Sequence, residues 1–353
     1  MKNRAEKPTS EPRVNFLVGR APRAASYEWF LWPALMVLAI GLAFVVDNQY
    51  WLQVMVNAEV MIIAAVGLYV TFGLSGQVSL GQAAFYAIGG YTTGLLVTKL
   101  QWDMGPAILA GVGAGILVGI GLGIPALRLK GHYLALATLG FGQVVAMILI
   151  NWKSLTEGAR GVSGIAAPMI GTFELVSVRD WAIFVGILAV GSIFVVQRIR
   201  QSTFGRAMQA ARDSDVAATA MGVSLPHVKV LAFTVGAGFA ALAGSLNAGV
   251  ITYISPGTYT LILSVAMLSM VVVGGASSHW GAVIGAVVIV FLPEVLRAAE
   301  RFYLLFYGVL LLIIVAYLPG GLWNLITRFF RFIVSIFSKR QRTGLPLASS
   351  EGN

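Results

Sequence analysis

From Phe30 to Leu318 the chain is a succession of long apolar runs separated by polar interruptions. The runs fall at residues 30–46, 54–72, 83–97, 106–127, 133–150, 181–197, 230–251, 259–273, 281–295 and 302–318. A hydrocarbon core of about 30 Å takes about 20 helical residues, so the pattern predicts about ten transmembrane helices. Each run is continuously apolar, without the two-residue alternation that a membrane β-barrel needs. The expected fold class is therefore an all-α polytopic membrane protein. The third, eighth and ninth runs are short for a bilayer, and a tilted, broken or re-entrant course is expected of them.

The runs divide into two sets of five. An odd number of spans per half inverts the second half relative to the first, so a 5+5 inverted arrangement is expected. In each half a helix-breaking stretch separates the second run from the third. The first is GLSGQVSLG (Gly73, Ser75, Gly76, Gln77, Ser79 and Gly81, with Gln82 after it), and the second is Ser255, Pro256 and Gly257. Interruptions at corresponding places point to a translocation pathway. Small residues also recur at helical spacing, at Gly111, Gly115 and Gly119, at Gly236, Ala240 and Gly244, and at Gly281 and Gly285. In lipid, such ridges let helix backbones approach closely.

Two polar interruptions are long, at 151–180 and 200–229. The first is irregular, with four glycines and Pro168, and its length favours a binding surface over a passive link. The second is basic and helix-prone. Ser202 or Thr203 is placed to cap a helix reaching about Arg212, and Ser214 to cap another with Asp215 in its first turn. Gly222 stands where a left-handed C-terminal cap belongs. The stub between them is about two turns, about 10 Å long. Val216, Ala217, Ala220 and Met221 line one side of it. That side suits the groove of a partner, and it also suits an amphipathic helix resting on lipid.

Charge orients the chain. With the N-terminus inside, 18 Lys and Arg residues fall on cytoplasmic segments and 6 on the opposite face, a positive-inside bias. The segments expected are a cytoplasmic tail at 1–29, a transmembrane domain at 30–327 with an external loop at 151–180 and a cytoplasmic loop at 200–229, and a cytoplasmic tail at 328–353. No small-residue cleavage site follows the first run, so it is expected to remain as a true span. The net charge of +10 sits in loops and tails around the apolar runs. That placement indicates topology and contact with anionic lipid, and nucleic acid is not expected as a partner. The eight tryptophans fall near run ends, as interfacial anchors do.

The chemistry available is sparse. Charged residues make up 11% of the chain against roughly 25% in soluble proteins. With no cysteine there is no thiolate nucleophile or cysteine metal site. His132, His227 and His279 lie far apart at predicted span edges, without a carboxylate cluster. There is no P-loop, so the chain is not expected to hold its own nucleotide. No metal, cofactor or enzymatic activity is expected. Glu59 is the one carboxylate well inside a run, Glu294 standing next to the end of another, and snorkelling to the outer interface or pairing with Asn57 would accommodate it.

Five segments carry a resemblance. They are GLSGQVSLGQAAFYAIGGY (73–91), LRLKGHYLALATLGFGQ (127–143), NWKSLTEGARGVSGI (151–165), FGRAMQAARDSDVAATAMGVSLPHVKVLAF (204–233) and VVGGASSHWGAVIGA (272–286). Together, in this order, they resemble permease subunits of branched-chain amino acid ABC importers, of the LivM-like type. The resemblance implies a second homologous permease subunit, two cytoplasmic ATPase subunits and a periplasmic or lipid-anchored solute-binding protein in a bacterial inner membrane. It places the ATPase contact at Arg212, Asp213, Asp215, Ala217, Ala220, Met221 and Gly222. Some relatives carry histidine where Gln82 stands, which speaks against a catalytic role there. Branched-chain or other hydrophobic amino acids are the implied substrates. An importer of urea or amides, and a stand-alone secondary transporter, are the rival readings.

Overall fold

The computed structural model describes residues 28–126, 129, 131–165, 169–170, 173–174, 177–296, 308–309, 312 and 320–329. The helices are α1 (Glu28–Val45), α2 (Gln49–Leu68), α3 (Gln82–Leu100), α4 (Met104–Ala126), α5 (His132–Asn151) and α6 (Lys153–Thr156). They continue with α7 (Val178–Gln201), α8 (Thr203–Asp213), α9 (Asp215–Ala220), α10 (Leu225–Ile251), α11 (Leu261–Gly274) and α12 (His279–Leu296). A π-helical turn, Tyr69–Leu74, prolongs α2. The strands are four two-residue pieces. β1 (Val162–Ser163) pairs antiparallel with β4 (Tyr253–Ile254), and β2 (Met169–Ile170) with β3 (Phe173–Glu174).

Among the described residues, six helices are long and apolar enough to cross a membrane: α2 with its π-turn, α4, α5, α7, α10 and α12. Trp32–Val45 within α1 and Leu261–Gly274 are shorter apolar helices. The protein is thus an all-α polytopic membrane protein. The third run is not short after all. Helix α3 covers 19 residues, about 28 Å. Its tyrosines and threonines dilute its hydropathy, and its packing against α4, α5, α10 and α11 explains why it can carry them. The eighth run remains short, 14 residues in α11. The second begins at Gln49, earlier than its hydropathy indicates, because the Asn48 side chain accepts from the Tyr50 amide and starts the helix there. The run at 302–318 and nearly all of both tails lie outside the described residues.

Helix direction follows from the close contacts. A Cβ on Gly111, Gly115 and Gly119 of α4 would meet Ser245, Ala241 and Ala237 of α10 in turn, so these helices run antiparallel along one ridge. Gly113 and Gly121 face open space. Gly236 and Gly244 serve different neighbours: Gly236 abuts Thr71 and Gly67 of α2, whereas Gly244 abuts the Tyr86 carbonyl of α3. Gly281 and Gly285 lie against Gly274 and Met270 of α11. Helix α2 packs on α11 and α12, and α10 packs on α3 and α4. Helices α2 and α10 are themselves antiparallel, with Gly67 against Phe239 and Thr71 against Ala232.

The molecule therefore has two ends. At the loop end, the Lys99 ammonium donates to the Ser154 and Leu155 carbonyls, at 3.2 and 2.7 Å. There the Tyr253 hydroxyl donates to the Arg160 carbonyl, and Arg179 pairs with Asp47. The expected loop at 151–180 is thus partly structured, and β1 fastens it to the segment after α10. The platform end carries α8 and α9. The long basic interruption is narrower than its polarity indicates, since Arg200 and Gln201 finish α7, and α10 begins at Leu225.

Close approach of α3 and α10 makes a direct test. A Cβ at position 244 would lie 1.8 Å from the Tyr86 carbonyl oxygen, while one at 113 meets nothing within 4 Å. Gly244→Val is expected to destabilise the protein by about 1–3 kcal/mol or more, seen as a lower thermal midpoint in detergent. Gly113→Ala should leave that midpoint in place.

Candidate functional site

The residues singled out at the first helix break and on the platform come together in one site. Helix α2 does not stop at Gly73. It widens through the π-turn and ends at Leu74, so Gly73 is helical and the break itself is residues 75–81. A π-turn shifts the hydrogen-bond register and leaves carbonyl groups for other donors, and such turns cluster at functional sites. Here the Gly73 carbonyl accepts from Arg212 Nη1 at 2.6 Å. The same guanidinium donates through Nε and Nη2 to Asp213 Oδ1, both at 3.1 Å. Gly76, at φ +71°, passes under the Arg212 side chain, where a Cβ would come within 2.7 Å of Cγ. A left-handed backbone and this close approach both require glycine.

Much of the rest of the break is hydrogen-bonded, as backbone freed from a helix requires. The Gln77 amide donates to the Thr71 carbonyl at 3.0 Å, and the Gly76 amide to Phe72 at 3.0 Å. Gln77 Nε2 donates to Ser75 Oγ at 2.7 Å and to the Lys229 carbonyl at 3.1 Å. Ser75 Oγ donates to the Thr71 carbonyl, and Thr71 Oγ1 to the Ala232 carbonyl. The Leu80 amide donates to Thr138 Oγ1 on α5, and the Ala83 amide to Ser264 Oγ on α11. The break and the helix ends that flank it are thereby tied to α5, α8, α10 and α11 at once.

The platform is built as its caps dictate. Of the two cap candidates it is Ser202 that caps α8, accepting from the Gly205 amide at 3.2 Å. Ser214 caps α9, accepting from the Ala217 amide at 3.2 Å. Gly222 ends α9 at φ +82°, with the Gly222 amide donating to Thr219 and that of Val223 to Ala218. That pair of bonds is a Schellman motif. Asp215 turns back to Lys229 in the first turn of α10, Nζ donating to both carboxylate oxygens at 2.9 Å. Both side chains are mostly buried, so the pair fixes α9 to α10 with an energy of about 1 kcal/mol. Val216, Ala217, Ala220 and Met221 are all exposed, Val216 at 81% and Met221 at 84%. A cavity of 330 Å³ lies between platform and break, lined by Gly76, Gln77, Gly131, Arg212, Asp215 and Lys229 among others.

The second expected break, Ser255, Pro256 and Gly257, is at the loop end. It is a single 3-10 turn at Pro256–Thr258, with Ser255 Oγ accepting from the Gly257 amide. Helix α3 joins the two places. Gln82 and Ala83 open it beside the first break, and Tyr86 and Tyr91 reach the Tyr259 ring at centroid distances of 5.9 and 5.8 Å. Tyr259, two residues after the second break, thus packs four to nine residues, about 6–14 Å, along α3 from its start.

Glu59 departs from expectation. It lies ten residues into α2, about 15 Å from its start, and is buried against Gly186 of α7. Its Oε2 has no hydrogen-bond partner among the described residues. It neither snorkels nor pairs with Asn57, which is exposed on another face. The run at 54–72 begins late in hydropathy terms, and that placed Glu59 too near the interface. His132 and His227 are exposed, whereas His279 is buried.

Thr71, Thr138, Lys229 and Ser264 belong to the site without any signal in the sequence pattern. Threonine and serine in apolar helices give no periodic mark, and the partners of Lys229 come from residues far away in the chain.

The site's surroundings have relatives. Residues 50–315 match the family described as the branched-chain amino acid transport system permease component. The chain belongs to this family. The high-affinity branched-chain amino acid transport system permease protein LivM of Salmonella typhimurium is 34% identical over 316 residues, covering 82% of this chain and 73% of its own length. The LivM of Escherichia coli is 34% identical over 315 residues, with the same coverage. The corresponding LivH of Escherichia coli is 26% identical over 268 residues, covering 68% of this chain and 84% of its own. No solved structure matches the chain. All five resembling segments fall inside or at the edges of the family match, and the chain is a LivM-like permease.

Removal of the Arg212 contact tests the geometry of the site. Arg212→Gln should raise hydrogen exchange at the Gly76 and Gln77 amides by about tenfold or more, the effect of losing a charge-assisted bond of about 1.5–3 kcal/mol. Amides in the centre of α10 serve as the internal reference. Unchanged protection at 76 and 77 would show that Arg212 does not hold the break.

Proposed function

We propose that this permease is the translocation subunit of an ATP-binding cassette importer, moving branched-chain or other hydrophobic amino acids. The observation that carries the reading is the Arg212–Gly73 hydrogen bond, which joins an exposed two-helix platform directly to a break in a membrane helix. In this reading the platform end is cytoplasmic, and both termini lie on that side. The chain makes ten spans in two inverted halves. Two ATPase subunits contact α9 through Val216, Ala217, Ala220 and Met221, and a solute-binding protein, periplasmic or lipid-anchored, delivers substrate at the loop end. A second permease subunit completes the pathway, and the membrane is the bacterial inner membrane.

The mechanism follows from the connections. A force on α9 passes to α10 through Asp215 and Lys229, and to α2 through Arg212. The segment 75–81 is pinned to both helices, so displacement of the platform shifts the N-terminus of α3. Helix α3 is packed through glycine contacts and moves as a rod. Its tyrosines then disturb Tyr259 at the loop end. One input at the platform thereby reaches both breaks, as alternating access requires.

Two substitutions separate docking from folding. Ala217→Arg puts a charge on the exposed face of α9, and Gly222→Val forces a β-branched residue into a left-handed conformation, a cost of about 1–2 kcal/mol. In proteoliposomes holding the full transporter, both are expected to lower uptake at least about tenfold. Membrane insertion of the permease should be unchanged. Normal uptake by both variants would remove the docking role from α9.

One observation favours a second reading. The buried Glu59 carboxyl resembles the ion-coupling groups of gradient-driven carriers. Glu59→Gln should leave ATP-driven uptake within about twofold of the parent if Glu59 is structural. Uptake by the permease alone, driven by an ion gradient and lost in Glu59→Gln, would establish the carrier instead.

A further inference from the structure

A second cavity at the platform end, 590 Å³, is bounded by the last turn of α7, by α8, by the start of α12 and by Trp323. Arg200, Arg206, Gln209, Ser278, His279 and Trp280 are in its wall, and among the described residues no carboxylate lines it. Arg206 donates to the Gln201 carbonyl at 2.8 Å and keeps its remaining N–H groups free to turn toward the cavity. The Arg200 guanidinium makes no hydrogen bond or ion pair among the described residues. The 18-residue helix α12 begins here, with Ser278 Oγ accepting from the Trp280 amide, and it brings the positive end of its dipole to the cavity.

His279 points independently to a missing ligand. Its side chain is 3% exposed, between the rings of Tyr69 and Trp280, and neither ring nitrogen has a hydrogen-bond partner among the described residues. A buried polar group left so costs about 1–3 kcal/mol, a penalty that a bound hydrogen-bonding group relieves. Two guanidinium groups, a helix N-terminus and an unsatisfied imidazole together call for a ligand with several acceptor oxygens and negative charge. Phosphate chemistry meets that demand, and arginine is the side chain that grips it through paired N–H donors.

The level of the cavity names the source. Trp280 and Trp323 line it, and Trp32, near the beginning of α1, stacks on Trp280 at a centroid distance of 6.4 Å. Tryptophans grouped at span ends mark the depth of lipid headgroups. Arginines at that depth meet the phosphates of the adjacent leaflet.

We propose that this cavity is a binding site for the phosphate headgroup of an anionic phospholipid, gripped by Arg200 and Arg206 beside the N-terminus of α12. The headgroup bridges α7, α8 and α12, and so steadies the root from which the platform springs. The site shares no charged residue with the Arg212 network and does not depend on what the permease carries.

Native mass spectrometry of the full chain in a neutral detergent tests it, with phosphatidylglycerol, phosphatidylcholine and inorganic phosphate as the probes. One phosphatidylglycerol is expected to be retained per chain in preference to phosphatidylcholine. Arg200→Gln with Arg206→Gln should weaken that retention about tenfold or more, and lysine at both positions should restore part of it. Arg198→Gln, whose guanidinium instead stacks on Phe194 at 4.9 Å, should behave like the parent. Recovery by the lysine pair separates loss of the site from loss of folding. Equal retention of phosphatidylcholine overturns the proposal, as does full retention in the double glutamine variant. Displacement of phosphatidylglycerol by millimolar inorganic phosphate would make the ligand free phosphate and overturn the lipid assignment.

Discussion

A helix that breaks off inside a membrane protein leaves peptide groups without partners, and hydrocarbon offers them none. In water such groups would be hydrated at small cost. In lipid each unmet group costs several kcal/mol. The stretch from Thr71 to Ala83, which contains the break, meets much of this demand with donors and acceptors from four other helices, and much of the molecule's arrangement follows from it. Helix α10 has to present the Lys229 and Ala232 carbonyls, α5 its Thr138 hydroxyl, α11 its Ser264 hydroxyl and α8 its Arg212 guanidinium. Because these partners are distributed, none can move without altering the break. The break is therefore a natural receiver of force from the platform.

Close packing turns that local dependence into a longer one. Helices α3, α4 and α10 meet at glycines where a single Cβ would overlap a neighbouring backbone, as Gly89 does with Ala241 and Gly244 with Tyr86. Lipid supplies no hydrophobic drive for helices to associate, so van der Waals contact at this range is the main source of cohesion. Helices packed so tightly slide or tilt as bodies and do not bend locally. The stretch from Gln82 to the Tyr86, Tyr91 and Tyr259 cluster then behaves as a stiff connection between the first break and the segment that follows the second.

Much of this is legible in the order of residues alone. The apolar runs mark the helices because burial in lipid leaves few alternatives to continuous helix. The caps at Ser202 and Ser214 and the left-handed Gly222 are legible because capping is settled among neighbouring residues. The platform's exposed apolar face can be seen as well, since two turns of helix fix which residues share a side. The start of α2 is hidden because Gln49, Tyr50 and Gln53 are not apolar, while the Asn48 cap sets the helix in motion regardless. That same concealment puts Glu59 near the surface when hydropathy is the only guide.

Local chemistry thus determines helices, caps, the membrane class and the family, all of which depend on residues a few positions apart. Tertiary structure alone decided which separated groups became partners. Arg212 and Gly73 are 139 residues apart, and Gln77 and Lys229 are 152 apart. Nothing in the periodicity of either segment anticipates such a bond. The π-turn that frees the Gly73 carbonyl is likewise a product of packing, because no residue in YVTFGL demands it. Two helix breaks that look equivalent in the chain are built differently, the first on partners from several helices and the second as a single 3-10 turn whose next residue but one packs on the tyrosines of α3. Hydrophobic pattern selects what enters the membrane, but only the assembled helices determine which polar groups are left there to find one another.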